Sequence, residues 1–159
     1  MVATVTSEVI QSLRVEREVF IAAPLDLAFE SLLEELGPAS ELPNAAPMPM
    51  VLEAWPGGRW FRDLGNNAGH FWGHVQVIKP PALLEIAGPL FMSFPGVNHL
   101  QYRLTAEAAG TKLKLIHRAF GEIPAEVREG VSDGWNAKLN RVRQLAETRQ
   151  AKTRQASSR

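Results

Sequence analysis

The chain has no cysteine among its 159 residues. Disulfide bonds, thiolate metal sites and cysteine nucleophiles are therefore excluded. A cysteine-free chain suits a reducing compartment, and we expect a cytoplasmic protein. The first 13 residues lack the basic start and apolar run of a signal peptide. No apolar run approaches the roughly 20 residues of a membrane span, so we expect no membrane insertion.

An excess of charge of either sign is also missing, because 17 basic residues balance 17 acidic ones. A net charge of zero argues against a broad electrostatic surface for nucleic acid or for an anionic membrane. The length is that of one domain. Hydrophobic residues make up 45% of the chain, which is enough for a sizeable core.

The hydrophobic pattern divides the chain into a flexible N-terminal arm (1–12), one domain (13–147) and a polar, frayed tail (148–159). Residues 13–21 alternate as a half-buried strand does, and residues 24–36 repeat apolar side chains at helical spacing after Pro24. Four strand-like runs follow, over 50–55, 58–64, 70–79 and 83–87. Strands segregated from helices favour an α+β fold with antiparallel pairing.

A hairpin with a definite register is predicted around Gly110. Pairing Ala106 with Thr111 sets Leu104 opposite Leu113, Tyr102 opposite Leu115, and Leu100 opposite His117. This register puts the apolar members on one face, which is how register is normally fixed.

The last predicted element is a helix of about 22–25 residues that starts at Pro124 and carries one apolar stripe. Gly130 and Gly134 lie inside it, and each costs roughly 1 kcal/mol relative to alanine. We expect a packing reason for them, such as a neighbouring element that approaches the helix closely.

Five stretches carry a family resemblance: Ile21-Ala-Ala-Pro24 with Phe29, Pro56-Gly-Gly-Arg59, Gly73 to Pro81 with Leu84, Gly110 to His117, and Gly134-Trp135 leading to Leu145. In this order they resemble the SRPBCC (START-like) superfamily, and within it the homologues of the heat-shock ATPase activator. The resemblance covers residues 13–147. It implies a helix-grip fold, in which a curved antiparallel sheet wraps around a long C-terminal helix and one or two short helices follow the first strand. It also implies a cavity between sheet and helix.

One segment departs from that family, whose members often carry a tryptophan soon after the first helix. This chain has Glu41-Leu-Pro-Asn44 there. The resemblance by itself implies no single chemistry, because one fold hosts many functions.

His117 is the most informative polar residue, because it falls in phase with Leu113 and Leu115 on the apolar face. One interpretation is a polar handle in the cavity that orients a ligand or acts as acid or base. The other is a buried histidine satisfied by a backbone carbonyl or by Tyr102. The predicted ligand-binding set is Tyr102, Leu115, His117, Trp135, Val75, Phe71, Phe91 and Phe94.

The apolar loop 90–94 is unusual for a connection and predicts an entrance lid or a homodimer contact, or else simple loop packing. Its residues are Leu90, Phe91, Met92, Ser93 and Phe94.

No metal or cofactor is expected. His70 and His74 share a strand face, yet at about 3.3 Å per residue they lie roughly 13 Å apart, too far to share one metal. The acids of the first helix, Glu30, Glu34 and Glu35, are interpreted as its solvated face.

Three functions remain open from the sequence. The first is binding of a small hydrophobic molecule in the cavity. The second is a cyclase or dehydratase acting on a polyketide-like or aromatic substrate, with His117 and Tyr102 as the acid–base pair. The third is a co-chaperone-like role in protein interaction. Ligand binding without catalysis is favoured, because no carboxylate is in phase on these strands.

Overall fold

A computed structural model describes all 159 residues. The elements are β1 (Gln11–Ile21), α1 (Leu25–Leu36), β2 (Val51–Leu52), β3 (Arg59–Gly65), β4 (Ala68–Lys79), β5 (Leu83–Gly88), β6 (Gly96–Glu107), β7 (Gly110–Gly121) and α2 (Ala125–Ser157). The predicted order of strands and helices is confirmed, and a single helix follows the first strand.

The seven strands form one antiparallel sheet in the order β1-β7-β6-β5-β4-β3-β2. The predicted hairpin register is confirmed: Leu104 pairs with Leu113, Tyr102 with Leu115, and Leu100 with His117. Every second side chain of β6 and β7 is buried along this stretch. Because the side-chain period of a strand is two, a slip of one residue would expose this whole set.

Helix α2 presents a narrow apolar stripe to the concave side of the curved sheet. The buried members of the stripe are Val131, Trp135, Leu139, Val142 and Ala146. They join α1 and the inner faces of the strands in one core cluster. Arg17 of β1 donates a hydrogen bond to the Ser132 hydroxyl, which ties the edge of the sheet to the helix. Neither helix combines the length and the apolarity needed to cross a membrane.

The alternation predicted for β4 is wrong at its start. The β3–β4 register shifts between Trp60 and Phe61, so that Trp60 pairs with Gly73 and Phe61 with Phe71. Trp72 is the extra residue of this bulge, and an extra residue reverses the facing of the residues on one side of it. Trp72 is therefore buried inside, while Phe71 is 40% exposed beside the His74 ring at 4.9 Å.

The chain ends differ in structure. Residues 1–10 are exposed and belong to no element. At the other end α2 runs to Ser157, 33 residues in all, and so exceeds the predicted length by about two to three turns. Arg149 of this extension pairs with Glu34 of α1. This ion pair joins the extension to the body of the protein.

Candidate functional site

An open, apolar cleft of about 390 Å³ lies between the N-terminal half of α2, the segment after α1 and the loop before β6. Its apolar wall consists of Met48, Trp72, Phe91, Val127, Val131 and Trp135, with Leu42 and Pro43 at the rim. Glu41, Glu126 and Lys138 are the charged residues that border it. The cleft has the size and the lining of a site for a small apolar molecule.

Gly130 and Gly134 form the helical side of this cleft. A Cβ atom added at either glycine would meet no atom within 4 Å. The expected close approach of a neighbouring element is therefore wrong. The glycines leave space along the cleft wall, even though each costs the helix roughly 1 kcal/mol.

The loop before β6 packs inward and supplies another wall. Leu90 and Met92 are buried, and Leu90 adopts a left-handed backbone conformation with φ of 54°. A bulky residue in this region is strained, so its surroundings must hold it there. The Leu90 amide donates to the Trp72 carbonyl at 2.8 Å. This arrangement sets the Phe91 ring edge-on to Trp72 at 6.0 Å, inside the cleft.

His117 lies behind the cleft, fully buried, and both of its ring nitrogens are engaged. The Trp135 indole N–H donates to Nδ1 at 3.0 Å, and Nε2 lies 2.7 Å from the Asn98 Oδ1 atom. Asn98 is itself fully buried and donates from Nδ2 to the Pro89 carbonyl at 3.2 Å. A chain of hydrogen bonds therefore runs from the cleft wall at Trp135 to the loop that carries Phe91.

The donors and acceptors along this series of hydrogen bonds fix the tautomer of His117. An indole N–H only donates and a backbone carbonyl only accepts, so Nδ1 must accept and Nε2 must carry the proton given to Asn98. Burial lowers the pKa of His117 to about 4, which keeps the ring neutral. A neutral ring with both nitrogens engaged positions Trp135 and has no free position for a ligand.

A polar recess of about 260 Å³ adjoins the apolar cleft and shares Gly134 and Lys138 with it. Glu35 of α1 lies at this recess and is 1% exposed. Its interpretation as part of a solvated face is wrong. The sequence contained a signal, because Glu35 follows Ala28 by seven residues and Leu32 by three and so lies on the apolar stripe of α1.

The Glu35 carboxyl lies near a cation but accepts no well-formed hydrogen bond. Oε1 is 2.9 Å from the Lys138 ammonium, yet the geometry leaves this buried oxygen without a hydrogen-bond donor. The ammonium instead donates to the Ser40 hydroxyl at 2.7 Å and to the Glu41 carbonyl at 3.0 Å. Burial raises the pKa of Glu35 to about 7, against the opposing attraction of Lys138 and Arg141.

Each cation of the recess already faces a carboxylate. Lys138 lies against Glu35, and the Arg141 guanidinium contacts Glu41 Oε1 at 3.0 Å. Burial, and to a lesser extent the charge of Glu35, raises the pKa of Tyr102 well above its usual range, so this hydroxyl stays neutral. Each cation of the recess therefore contacts one carboxyl group, and the buried Nε atom of Arg141 has no hydrogen-bond partner.

The structure brings only part of the predicted binding set to the cleft. Trp135 and Phe91 line it, whereas Val75, Tyr102 and Leu115 are buried in the core and His117 reaches the cleft only through Trp135. Phe71 lies on the outer face, because the bulge at Trp72 reversed its direction. Phe94 packs on a separate small cluster of Met92, Ala119 and Ile123.

Four residues at the site were not predicted from the sequence: Trp72, Met48, Lys138 and Glu35. Trp72 was missed because a bulge leaves no mark in the alternation of side chains. Met48 lies in the segment between α1 and β2, where no periodic pattern exists. Lys138 reads as a solvated residue of α2 until the turn at Ser40 is placed beside it.

No group of three or more histidine, aspartate or glutamate residues is arranged to hold a metal ion. His70 accepts from the Trp72 indole at 3.3 Å, and the His74 Nδ1 atom lies 3.1 Å from the Gly57 carbonyl. Each of the two histidines thus has its own partner within the chain.

No family model and no curated protein sequence matches this chain. Many solved structures match it. The Zhui aromatase/cyclase from Streptomyces sp. R1128 is 23% identical, with a TM-score of 0.64 over 87% of this chain and 96% of that one. An uncharacterized protein from Rhizobium leguminosarum is 16% identical, with a TM-score of 0.65 over 90% of this chain and 99% of that one.

The chain has the helix-grip fold. A third match, the di-domain aromatase/cyclase StfQ of the steffimycin biosynthetic pathway, is 16% identical, with a TM-score of 0.64 over 88% of this chain and 52% of StfQ. Identities this low establish the fold alone. The predicted curved antiparallel sheet around a long C-terminal helix is thereby confirmed.

Proposed function

We propose that this chain binds a small, mainly apolar molecule in the cleft between α2 and the sheet. The observation that carries the proposal is the pair of glycines, Gly130 and Gly134, which face open space along the cleft. Each glycine lowers helix stability by roughly 1 kcal/mol relative to alanine. No neighbouring atom of the protein makes a glycine necessary at either position. A ligand that occupies the cleft supplies the reason.

The aromatic walls support the same proposal. Trp72, Phe91 and Trp135 meet at the cleft, and each is held by other parts of the chain: Trp135 by His117, and Phe91 by the strained backbone at Leu90. Rigid aromatic side chains offer a large contact area at a low entropic cost. The two aromatase/cyclases of this fold are consistent with a cleft that takes a small organic molecule.

The proposal is tested with the neutral fluorescent probe N-phenyl-1-naphthylamine. We expect it to bind the wild type, and we expect Gly130→Leu to weaken binding at least tenfold because the new side chain fills the cleft. Asn136→Leu on the exposed side of the same helix is the matched control and should bind as the wild type does. Equal binding by Gly130→Leu and the wild type would refute the proposal.

A cyclase or dehydratase role is the second candidate, and Glu35 is the observation that favours it. The acid–base pair considered from the sequence, His117 and Tyr102, is not at the cleft. Glu35 borders the adjoining recess, and burial raises its pKa to about 7, which suits proton transfer at neutral pH. In a dehydration this carboxylate would remove the α-proton of a β-hydroxy ketone, and hydroxide would leave and be protonated to water.

A β-hydroxy ketone with an aromatic substituent tests this role, since the enone formed absorbs in the ultraviolet. Glu35→Gln should abolish the reaction, whereas Glu30→Gln at an exposed position of α1 should leave it unchanged. Turnover that survives Glu35→Gln would exclude Glu35 as the base.

Membership of the heat-shock ATPase activator homologues within this fold is part of the same proposal and rests on the five matching stretches of sequence. A co-chaperone-like role has no observation of its own in the structure. Homodimer formation stays a prediction, although Leu90 and Met92 of the loop considered for it are buried within the chain.

A further inference from the structure

Glu35 is a buried carboxyl for which the fold provides no hydrogen-bond donor of good geometry. It is 1% exposed, and its Oε1 atom has no hydrogen-bond partner. A buried polar atom without a partner lowers the stability of the protein. Its presence therefore indicates that the atom bonds to a ligand or takes part in a reaction. It lies at the polar recess, which adjoins the apolar cleft and shares Gly134 and Lys138 with it.

Each cation around Glu35 already contacts a carboxyl group of the protein. Lys138 faces Glu35 and donates to Ser40 and to the Glu41 carbonyl, and Arg141 pairs with the Glu41 carboxylate. Glu126 adds a further acid at the rim of the cleft. A carboxylate ligand in the recess would have to break one of these pairs and would face the carboxyl groups of Glu35 and Glu41.

An uncharged polar group meets no such obstacle. A carboxyl with its pKa near 7 is present both as an acid, which donates to a carbonyl, and as a carboxylate, which accepts from a hydroxyl. The groups that face it are Lys138 and Arg141 from α2, Glu41 from the segment after α1 and Tyr102 from β6. Lys138 keeps its hydrogen bonds to Ser40 and to the Glu41 carbonyl in both cases, and Tyr102 stays neutral.

We infer that Glu35 is the polar anchor of the cleft, and that the cleft selects an uncharged ligand bearing a hydroxyl or carbonyl group over a carboxylate of the same shape. This inference rests on the proposed binding function and specifies its ligand class. The apolar body of the ligand lies against Trp135 and Phe91, and its polar end reaches the recess.

Three probes of one shape test the inference by displacement of N-phenyl-1-naphthylamine near neutral pH: naphthalene, 2-naphthol and 2-naphthoate. We expect the wild type to bind 2-naphthol roughly tenfold more tightly than naphthalene, the effect of about one hydrogen bond. We expect 2-naphthoate to bind more weakly than naphthalene.

Two substitutions at Glu35 then distinguish hydrogen bonding from charge. Glu35→Leu should reduce the affinity for 2-naphthol to that for naphthalene. Glu35→Gln should keep the preference for 2-naphthol, because the amide still donates and accepts. It should also improve binding of 2-naphthoate at least tenfold, because Lys138 no longer faces a carboxylate. Glu30→Gln, which alters an exposed carboxyl of the same helix, should change neither preference.

Equal binding of 2-naphthol and 2-naphthoate by the wild type, or an unchanged preference in Glu35→Leu, would overturn the inference. If the fluorescent probe binds and Gly130→Leu blocks it while the Glu35 variants have no effect, the inference fails and the binding function stands. If the fluorescent probe binds equally to the wild type and to Gly130→Leu, the binding function fails and the inference fails with it.

Discussion

Two buried polar groups flank the same helix, and the protein treats them in opposite ways. His117 has a partner for each ring nitrogen, Trp135 on one side and Asn98 on the other. Glu35 has an oxygen with no hydrogen-bond donor and a cation in poor geometry. A fully satisfied buried group contributes to the structure, whereas an unsatisfied one is retained at a cost to stability. The contrast separates a positioning residue from a residue left available for a ligand.

The largest expected effect concerns the satisfied group. His117→Ala removes a buried ring and leaves the Trp135 indole N–H and the Asn98 Oδ1 atom without partners, so it should lower the free energy of unfolding by about 3–5 kcal/mol. Urea denaturation measures the loss. Trp135→Phe keeps most of the packing and should cost less, about 1–3 kcal/mol. A loss below about 1 kcal/mol for His117→Ala would contradict the structural role given to His117.

Glu35→Gln is the corresponding test of the buried group whose Oε1 atom lacks a hydrogen-bond partner. Near pH 8 the wild type must bury a carboxylate whose Oε1 atom lies 2.9 Å from Lys138 in poor hydrogen-bond geometry, and the amide removes this charge while Lys138 keeps Ser40 and Glu41 as acceptors. We expect the free energy of unfolding to change by less than about 1 kcal/mol, or to rise. A loss of 3 kcal/mol or more, of the order found when a buried ion pair is broken, would show that Glu35 is a structural residue after all.

The two groups should also give opposite slopes of stability against pH. The pKa of His117 falls from 6.5 to about 4 on folding, so the unfolded chain binds the extra proton and stability rises as pH increases between these values. The pKa of Glu35 rises from 4.5 to about 7, so the folded chain binds the extra proton and stability falls as pH increases between these values.

Glu35→Gln separates the two slopes, because it removes one titration and leaves all others in place. The stability of the wild type minus that of Glu35→Gln should fall by up to about 3 kcal/mol from below pH 4.5 to above pH 7. Urea denaturation at a series of pH values gives this difference directly. A difference that is independent of pH would mean that Glu35 has an ordinary pKa and is not buried.

Helix α2, which lies between His117 and Glu35, should show a smaller effect, an increase in the free energy of unfolding. Gly130→Ala and Gly134→Ala should each stabilise the protein by up to about 1 kcal/mol, since the added methyl group meets nothing within 4 Å. Thermal unfolding detects this gain, and Asn136→Ala provides the control for propensity on the exposed side of α2. A destabilising Gly130→Ala would mean that the cleft is narrower than the structure shows.

The smallest effect is expected at Tyr102, which packs in the core and makes no hydrogen bond to His117. Tyr102→Phe should change the free energy of unfolding by less than about 0.5 kcal/mol, because the hydroxyl gives up no hydrogen bond within the chain. A loss above about 1 kcal/mol would reveal a hydrogen bond of Tyr102 that the structure does not contain.

The hairpin shows how much of this fold could be predicted from the sequence. Leu100, Tyr102 and Leu104 meet His117, Leu115 and Leu113 in the register expected from the alternation of apolar residues alone. Pro24 and Pro124 mark the helix starts to within one residue, since each was predicted as the first helical residue and each is the residue just before the helix. These features depend on residues close in sequence or on a period that extends over a whole strand.

The site was less accessible to sequence reasoning, because contacts between distant segments build it. Glu35 and Lys138 are about one hundred residues apart, and the turn at Ser40 that completes their surroundings has no periodic pattern. Glu41, Leu42 and Pro43, where the chain departs from the family it resembles, form part of the cleft rim. The predicted hydrogen-bond partner of His117 was also wrong, because Asn98 and Trp135 contact its ring nitrogens and Tyr102 does not.

The sequence by itself determined the order of the elements, the register of the hairpin and the burial of His117, because each follows from local periodicity and from the cost of exposing an apolar face. Tertiary structure decided which of the buried polar groups found partners. The position of α2 across the sheet decides whether a hydrogen-bond donor reaches Glu35 and whether the Trp135 indole reaches His117. The bulge at Trp72 decides which aromatic ring enters the cleft. Hydrogen bonds are short and directional, so only the assembled fold fixes them.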